Sequence, residues 1–495
     1  MPILSGRMIT ADHPKPFIAP ALNFVLGDDA SPFSSEIIFV QASAAVGKSS
    51  IAKHLSASQN IPLLDLSKVP VSTGSLKSLI LNIKEYDSPL SLFHAGKLPV
   101  VIDALDEGRL LSGENGLQSF LSTIGELLLE DRSMIKRPKL IFFGRYESTE
   151  IANICISECS EDISVTIFDV GFFDKNSASN LIDAYARLSA KSESAYIQHP
   201  VPAKELVDCY FNSIASALGL DSETLWSSVE GKAFAGYAPV LAAVGYLLSE
   251  FDNFLEITNK LKDTGSQEAW GVISTVLDEI CNREQRKVCE KVGGQTTSSL
   301  PPEAYDKEEQ FALLFQYIHA LPLIGTNRIK LNPKDQNKYQ EAVNLFVPEH
   351  PFVRQRRFGN TVLGSVVMAN AILKDRFYKV DTDNVFQISR QPFLWRAISH
   401  NLESEALIDG KYIGFILNSL WSEPHGKNQN AVEIFSCEES AAKVLFPNFN
   451  NTSLSIISTY PIGFYGQIKN LAIDCGGLVK FEGQGARGSA TTFYM

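Results

Sequence analysis

The sequence predicts a doubly wound α/β domain near the N-terminus, then helical segments, then a β-rich tail. Three observations carry this. Short apolar runs alternate with amphipathic stretches as far as about residue 172. Beyond that point the spacing is helical and strand signals are sparse. From Leu454 onward short apolar runs return, separated by glycine-rich turns.

Five runs read as buried strands: Ile37 to Gln41, Ile61 to Leu66, Pro99 to Asp103, Leu140 to Gly144 and Val165 to Val170. Each is too short for a stable helix and rich in Val, Ile, Leu or Phe. Such runs suit a five-stranded parallel sheet covered on both faces. The stretches Ser75 to Tyr86 and Gly116 to Glu130 are the amphipathic helices expected between them. Residues 1–30 read as an extension ahead of a domain spanning 31–172. The segments Asp174 to Leu188, Ala203 to Leu218, Ser222 to Glu230 and Ala238 to Phe254 are expected helices of a subdomain over 173–263. Residues 264–375 read as mostly helical, with an extended stretch near Asn327 to Leu331. Residues 376–495 read as helical and then β-rich. Strands are expected there at Leu454 to Ile457, Ile468 to Ile473, Leu478 to Phe481 and Thr491 to Tyr494, with Gly476, Gly477, Gly483, Gly485 and Gly488 in the turns.

Bulk properties exclude several classes. The chain of 495 residues carries a formal charge of −12. A protein that coats nucleic acid must neutralise phosphates with Lys and Arg, so extensive nucleic-acid binding is not expected. The run Arg354, Arg356, Arg357 is either a small basic patch or a solvated face. A membrane-spanning helix needs about 20 apolar residues. The longest run, Ala233 to Leu248, is interrupted by Gly236, Pro239 and Gly245. No secretory leader is read at the N-terminus. The expectation is a soluble, cytoplasmic chain without a membrane partner. The 7 cysteines are scattered and none has CxxC spacing, which suits ordinary thiols in a reducing compartment.

The first chemical signal follows the first strand. Gln41-Ala42-Ser43-Ala44-Ala45-Val46-Gly47-Lys48-Ser49-Ser50 leads into the helical stretch Ile51 to Leu55. The phosphate-loop pattern is GxxxxGK[ST] between a strand and a helix. Here Ala42 replaces the first glycine, and alanine fits if its φ stays negative. Residues 42–50 are candidates to wrap a nucleotide's phosphates, because loop N–H groups at a helix N-terminus hold anions. Gly47 lets the backbone come close without a Cβ. Lys48 supplies a point charge between β- and γ-phosphate, and the Ser49 hydroxyl ligates magnesium. The implied cofactors are ATP (or GTP) and Mg²⁺.

The second signal is Leu98 to Glu107. An apolar strand delivers Asp103 at its C-terminal edge, where open α/β sheets bind ligands. Asp103 is a candidate metal ligand. Glu107 is placed to orient and polarise the attacking water, and Asp106 is a further acidic ligand or base. Three carboxylates within five residues repel one another and raise each other's pKa unless a cation intervenes. The third signal is Arg145, at the end of Leu140 to Gly144. In P-loop ATPases with an extra strand beside the acidic one, that strand carries a γ-phosphate sensor. Arg145 is either such a sensor or a surface arginine.

Together these residues resemble the STAND class of P-loop NTPases, and its NACHT group in particular. Asp103-Ala104-Leu105-Asp106-Glu107 matches that group's acidic motif, with a small residue after the magnesium aspartate and then an acidic pair. Val165 to Tyr185 is similar to the strand-to-helix passage that follows. Gly236 to Leu241 is similar to a helical motif whose proline, here Pro239, packs by the adenine. Arg357 to Ala369 resembles a motif of the family's winged-helix segment, which makes 264–375 a winged-helix-like subdomain. Asn360 and Ser365 stand where that motif usually has histidine and glutamate. The resemblance implies a slowly hydrolysing switch that forms a homo-oligomer when activated. Many bacterial members serve in antiviral defence, which implies a phage-derived trigger and an effector in the tail or on a separate protein. Three other readings remain: an AAA+ motor that remodels a protein or nucleic acid, a nucleotide-binding scaffold for a separate effector, and a non-hydrolysing interaction module. A motor needs an arginine finger, for which Arg132, Arg137 and Arg187 are candidates.

Overall fold

Strand formation follows the apolar runs, and the order in which the strands pair places the site. In the computed structural model the described residues are 12, 16–27, 31–43, 46–83, 86–130, 138–159, 162–191, 194–250, 253, 266–293, 302–325, 333–354, 356–374, 376, 391–401, 407–409, 412, 415–416, 419, 431–438, 441–445, 453–457 and 470–474. They divide into two compact units, Met1–Gln198 with Gly236–Phe251, and His199–Ala235 with Asp252–Met495.

The first unit is built on a mixed sheet. Its strands are β1 (Leu22–Leu26), β2 (Ile37–Gln41), β3 (Leu63–Asp65), β4 (Val100–Asp103), β5 (Leu140–Gly144) and β6 (Val165–Val170). Their spatial order is β1-β6-β2-β5-β4-β3. The five expected strands are present and parallel, and β5 lies between β2 and the acidic strand β4. The expectation of a purely parallel, five-stranded sheet is corrected. β1 adds a sixth strand, antiparallel to β6 with a register shift between Phe24 and Leu26. Its sequence Leu-Asn-Phe-Val-Leu has an exposed edge and no buried alternation, so the rule for buried strands passes over it.

The period-2 geometry of the strands sorts their side chains onto two faces. Ile37, Phe39, Val100, Ile102, Leu140 and Phe142 pack on one side. Their neighbours Ile38, Val40, Val101, Ile141 and Phe143 pack on the other, with Ala52 of α1 (Lys48–Gln59). The first face is covered by α2 (Ser75–Leu81), α3 (Pro89–His94), α4 (Leu105–Leu129) and α5 (Tyr146–Ser157). This is the doubly wound arrangement. Helix α4 starts well before the expected Gly116 because Gly113 (φ 70, ψ 166) breaks it, and the piece ahead of the break carries the acidic residues.

Helix α6 (Lys175–Ser189) starts at Asp174, whose carboxylate accepts the Ser177 N–H at 2.8 Å. After α7 (Ala195–Gln198), the first unit resumes at α11 (Ala238–Ser249). The Phe173 N–H donates to the Gly236 carbonyl at 3.0 Å, which pins the start of α11 to the loop after β6. Farther along, a Cβ on Gly245 would lie 2.6 Å from Tyr185 Cβ and 2.8 Å from the Ile182 carbonyl. Glycine there lets α11 lie directly on α6.

The second unit contains α8 (Pro200–Ala217), α9 (Ser222–Ser227), α10 (Val229–Ala235), α12 (Ser266–Gly293), α13 (Lys307–Ile318), α14 (Pro333–Phe346), α15 (Thr361–Leu373) and α16 (Leu394–Asn401). The expected helix Ser222 to Glu230 divides at Ser228, whose extended backbone (φ −77, ψ 147) ends α9. A short antiparallel pair, β7 (Val353–Arg354) with β8 (Arg357–Phe358), precedes α15. Strands β9 (Leu407–Asp409), β10 (Ala431–Glu438), β11 (Ala441–Leu445), β12 (Ser453–Ile457) and β13 (Asn470–Asp474) form a sheet ordered β13-β10-β11-β12-β9. The expected strands at Leu454 and Ile468 correspond to β12 and β13. Those at Leu478 and Thr491, the Gly476 to Gly488 turns and the Asn327 to Leu331 stretch lie outside the described residues.

No single helix among the described residues is long and apolar enough to cross a membrane. The cysteines Cys155, Cys159, Cys209, Cys281 and Cys289 are free thiols.

Candidate functional site

The C-terminal edges of β2, β4 and β5 converge, and each delivers one of the expected groups. At the end of β2, Ala42 is buried, and its N–H donates to the Gly144 carbonyl of β5 at 3.2 Å. Ala42 is not among the residues with positive φ, so alanine sits in place of the usual glycine without backbone strain. Ser43 and Val46 are half-buried, and Ala44 and Ala45 lie outside the described residues. Gly47 caps α1 with φ 94 and ψ 18, a left-handed conformation that costs any residue with a Cβ about 1–2 kcal/mol. A Cβ built there meets no atom within 4 Å, so strain alone selects glycine. Lys48, Ser49 and Ser50 form the first turn of α1, with Ser49 exposed.

The Lys48 ammonium donates to the carbonyls of Ala42 at 3.1 Å and Ser43 at 2.9 Å. It is therefore folded back over its own loop. Burial pushes its pKa down to about 8, and the charges of Asp106, Arg145, Glu107 and Asp103 all act on it. These five groups form one electrostatic cluster.

The acidic residues do not share one environment. Asp103, at the end of β4, is 3% exposed. The Ser49 hydroxyl and the Ala104 N–H lie near enough to its carboxylate to favour the charged form, while Oδ1 is buried with no hydrogen-bond partner among the described residues. Its pKa is pushed up to about 6. Repulsion was the expected cause, but burial is the larger one, with Asp65 and Glu107 adding to it. Asp106 instead faces Arg145. Its Oδ1 accepts the Arg145 backbone N–H at 3.1 Å, and its Oδ2 lies 3.3 Å from the guanidinium Nε. Glu107 is exposed on the first turn of α4. The carboxylates thus point three ways, which relieves the repulsion their spacing implied.

Ala104 makes this separation. It has φ 65 and ψ 45, a left-handed turn that ends β4 and starts α4 within one residue. A β-branched residue would not tolerate that conformation, so the small residue after Asp103 has a steric reason. Strained backbone of this kind is typical of functional sites.

The donor set fits magnesium. A buried carboxylate oxygen with no partner among the described residues and a hydroxyl at a helix N-terminus are hard oxygen ligands for an ion that keeps waters and substrate phosphates. Among the described residues no group of three or more His, Cys, Asp or Glu could cage a metal. A site completed by phosphates needs none. Ser49 and Asp103 would hold the ion, and it would supply charge neutralisation of the phosphates.

One acidic residue escaped the sequence reading. Asp65 ends β3 directly opposite Asp103. Burial alone would raise its pKa, but the Ser67 hydroxyl, then Lys68, whose ammonium is 2.9 Å away, and the Ser67 N–H together hold it below the usual range. The signal was available: Asp65 stands within the expected strand Ile61 to Leu66, as Asp103 ends its own.

The remaining candidates, and the neighbouring His350, are placed as follows. Pro239 is buried in the first turn of α11. Arg132 and Arg137 lie outside the described residues, and Arg187 pairs with Asp183 at 2.8 Å. In the basic run, Arg356 donates to the Tyr317 carbonyl and covers its ring at 5.5 Å. Asn360 caps α15, its Oδ1 accepting the Leu363 N–H at 2.9 Å. His350 is 0% exposed. Its Nδ1 accepts the Phe352 N–H, so Nε2 carries the proton and donates to Gln310 Oε1 at 3.1 Å. Burial pushes its pKa down to about 3. Both side chains are committed to the interior of the second unit.

Strand order, loop and acidic edge describe the first unit as a doubly wound α/β domain with a candidate phosphate loop at the C-terminal edge of its sheet. No family model and no curated protein matches the chain. Among solved structures it is similar to the RuvB Holliday junction branch migration motor of Thermotoga maritima, at 11% identity over 52% of this chain and 68% of that one, TM-score 0.24. It is also similar to the ORC2 protein of Aeropyrum pernix in its ADPNP-ADP complexes, at 12% identity over 63% and 88%, TM-score 0.27. At these scores the likenesses carry no argument.

Proposed function

We propose that this protein binds ATP (or GTP) with Mg²⁺ and hydrolyses it slowly, as a nucleotide switch of the STAND kind. One observation carries the reading. Buried Asp103 has an acceptor oxygen with no described partner beside the Ser49 hydroxyl, at the N-terminus of the helix that begins with Lys48. A buried carboxylate in that position is costly without a cation. A magnesium–nucleotide complex supplies both the cation for Asp103 and the phosphates for Lys48.

In this reading the loop N–H groups and Lys48 hold the β- and γ-phosphates. Glu107, exposed and free to approach a water, polarises the nucleophile. Arg145, paired with Asp106, is the group that responds to a γ-phosphate. Pro239 lies by the base. Activation by a phage-derived trigger and self-assembly belong to the same proposal, as do a cytoplasmic place in antiviral defence and an effector on the tail or a partner. They rest on the family resemblance of Asp103 to Glu107.

The test is calorimetric titration of Mg·ATP and Mg·GTP into wild type and Lys48→Ala, followed by turnover. Loss of the charge-assisted phosphate contact should weaken binding by about 1.5–3 kcal/mol, roughly 10–150-fold. Equal affinity in the variant refutes the phosphate assignment. Steady turnover at about 1 s⁻¹ or faster refutes the switch and favours a motor.

A further inference from the structure

Arg145 stands at the start of α5, and its carbonyl accepts the Thr149 N–H at 2.8 Å. Asp106 meets it twice, at the backbone N–H (3.1 Å) and at Nε (3.3 Å). The next residue, Tyr146, is 8% exposed, and its hydroxyl donates to Asp169 Oδ1 at 2.6 Å. That distance is in the short range of hydroxyl–carboxylate bonds, which are roughly twice as strong as bonds between neutral groups.

Asp169 is a firm anchor. It lies near the end of β6, with Asn23 of β1 and Gln41 of β2 as register partners on either side. The chain just beyond is tied as well, the Gly171 N–H donating to the Ala21 carbonyl at 2.8 Å and the Phe173 N–H to the Gly236 carbonyl at 3.0 Å. In the sheet β2 separates β5 from β6. The bond from Tyr146, which follows β5, to Asp169 on β6 therefore spans the end of the strand that leads into the phosphate loop.

The two anchors hold different things. The backbone at Arg145 and Tyr146 is fixed on the β4 side by Asp106 and on the β6 side by Asp169. The guanidinium is held less tightly, because 3.3 Å is longer than the roughly 2.7–2.9 Å of a strong charge-assisted bond, and its side chain is 19% exposed. A γ-phosphate can draw the guanidinium from Asp106 while the backbone stays in place. We propose that Tyr146 is a positioning residue that, through Asp169, holds Arg145 where it distinguishes a nucleoside triphosphate from a diphosphate. This rests on the reading of Arg145 as the group that responds to a γ-phosphate. Without the Tyr146 hydroxyl the first turn of α5 loses its tie to β6, and hydrogen bonds weaken steeply once donor and acceptor are misaligned.

The test is calorimetric titration of Mg·ATP and Mg·ADP into the full chain, wild type beside Tyr146→Phe, Arg145→Ala and the double variant. Tyr146→Phe keeps the ring and removes only the hydroxyl. It should weaken Mg·ATP about fivefold and leave Mg·ADP within about twofold. In the Arg145→Ala background the same change should add nothing, because both residues act on one contact. Asp169→Ala should reproduce Tyr146→Phe, and Asp169→Asn, which keeps an acceptor oxygen, should retain most of the Mg·ATP affinity; this pair decides if Tyr146→Phe fails to fold. Wild-type Mg·ATP affinity in Tyr146→Phe, an equal loss for both nucleotides, or a loss that adds to that of Arg145→Ala overturns the proposal. If Arg145→Ala loses Mg·ATP and Tyr146→Phe does not, only the positioning role falls. If Arg145→Ala binds both nucleotides as wild type does, or wild type binds neither, the underlying reading fails and takes this one with it.

Discussion

Replacing Asp103 with Asn removes a costly ionised group of the site, and its effect can be worked from the structure. The carboxyl titrates at about 6 in the folded protein against 3.8 ordinarily. Because the folded value is the higher one, folding favours the protonated form. The penalty is absent below the ordinary value, grows as pH rises, and is complete once pH passes the folded value. A shift of about two units corresponds to roughly 3 kcal/mol at neutral pH. Asparagine has the same shape, carries no charge, and can donate to the Ser49 hydroxyl. Other groups titrate over the same range, so the informative quantity is the difference between variant and wild type. In EDTA, Asp103→Asn should gain roughly 2.4 kcal/mol relative to wild type between pH 4 and pH 7. At about 2–4 °C per kcal/mol that is a relative rise in Tm of roughly 5–10 °C. Melts followed by intrinsic fluorescence at the two pH values measure it. With Mg·ATP present the order should reverse, because only wild type gains the metal contact. A Tm difference independent of pH, or a variant stabilised by Mg·ATP as strongly as wild type, refutes the argument that burial of Asp103 is offset by magnesium.

Other predictions follow from the same geometry. Glu107→Gln should bind ATP normally and slow single-turnover hydrolysis by about 10²–10⁴-fold, whereas an unchanged rate moves the base role elsewhere. Ala104→Gly should stabilise the protein by up to about 1 kcal/mol by relieving its left-handed backbone, and Ala104→Val should destabilise it by more than that; thermal melts that rank the three otherwise contradict the strain. Gly245→Ala should cost about 1–3 kcal/mol by forcing α11 from α6, and a neutral result would show that the two helices yield. In light scattering of Glu107→Gln with ATP, mass should rise when a trigger is present, and a protein that stays monomeric with ATP bound and every candidate trigger counts against assembly.

The sequence by itself determined the local elements that carry the candidate site residues. Four of the five expected strands have bounds within one residue of those observed, because each is a short apolar run ended by a polar or glycine residue. Lys48 at a helix start and Asp103 at a strand end were legible for the same reason: both are fixed by where a local element begins or stops. What the side chains do to one another was settled by tertiary structure. Spacing placed Asp103, Asp106 and Glu107 side by side, yet the left-handed turn at Ala104 sends them to Ser49, to Arg145 and to solvent. Arg145 is 39 residues from Asp106, and only the pairing of β5 with β4 brings them together. Asp65 met Asp103 through the register of β3, which no local pattern encodes. Edge strand β1 also needed its partner, since a strand with little burial leaves no apolar alternation to read. The return of α11 to the first unit depends on a glycine whose missing Cβ matters only against α6. Sequence periodicity reports which residues are buried, whereas pairing order and register decide which buried and charged groups meet.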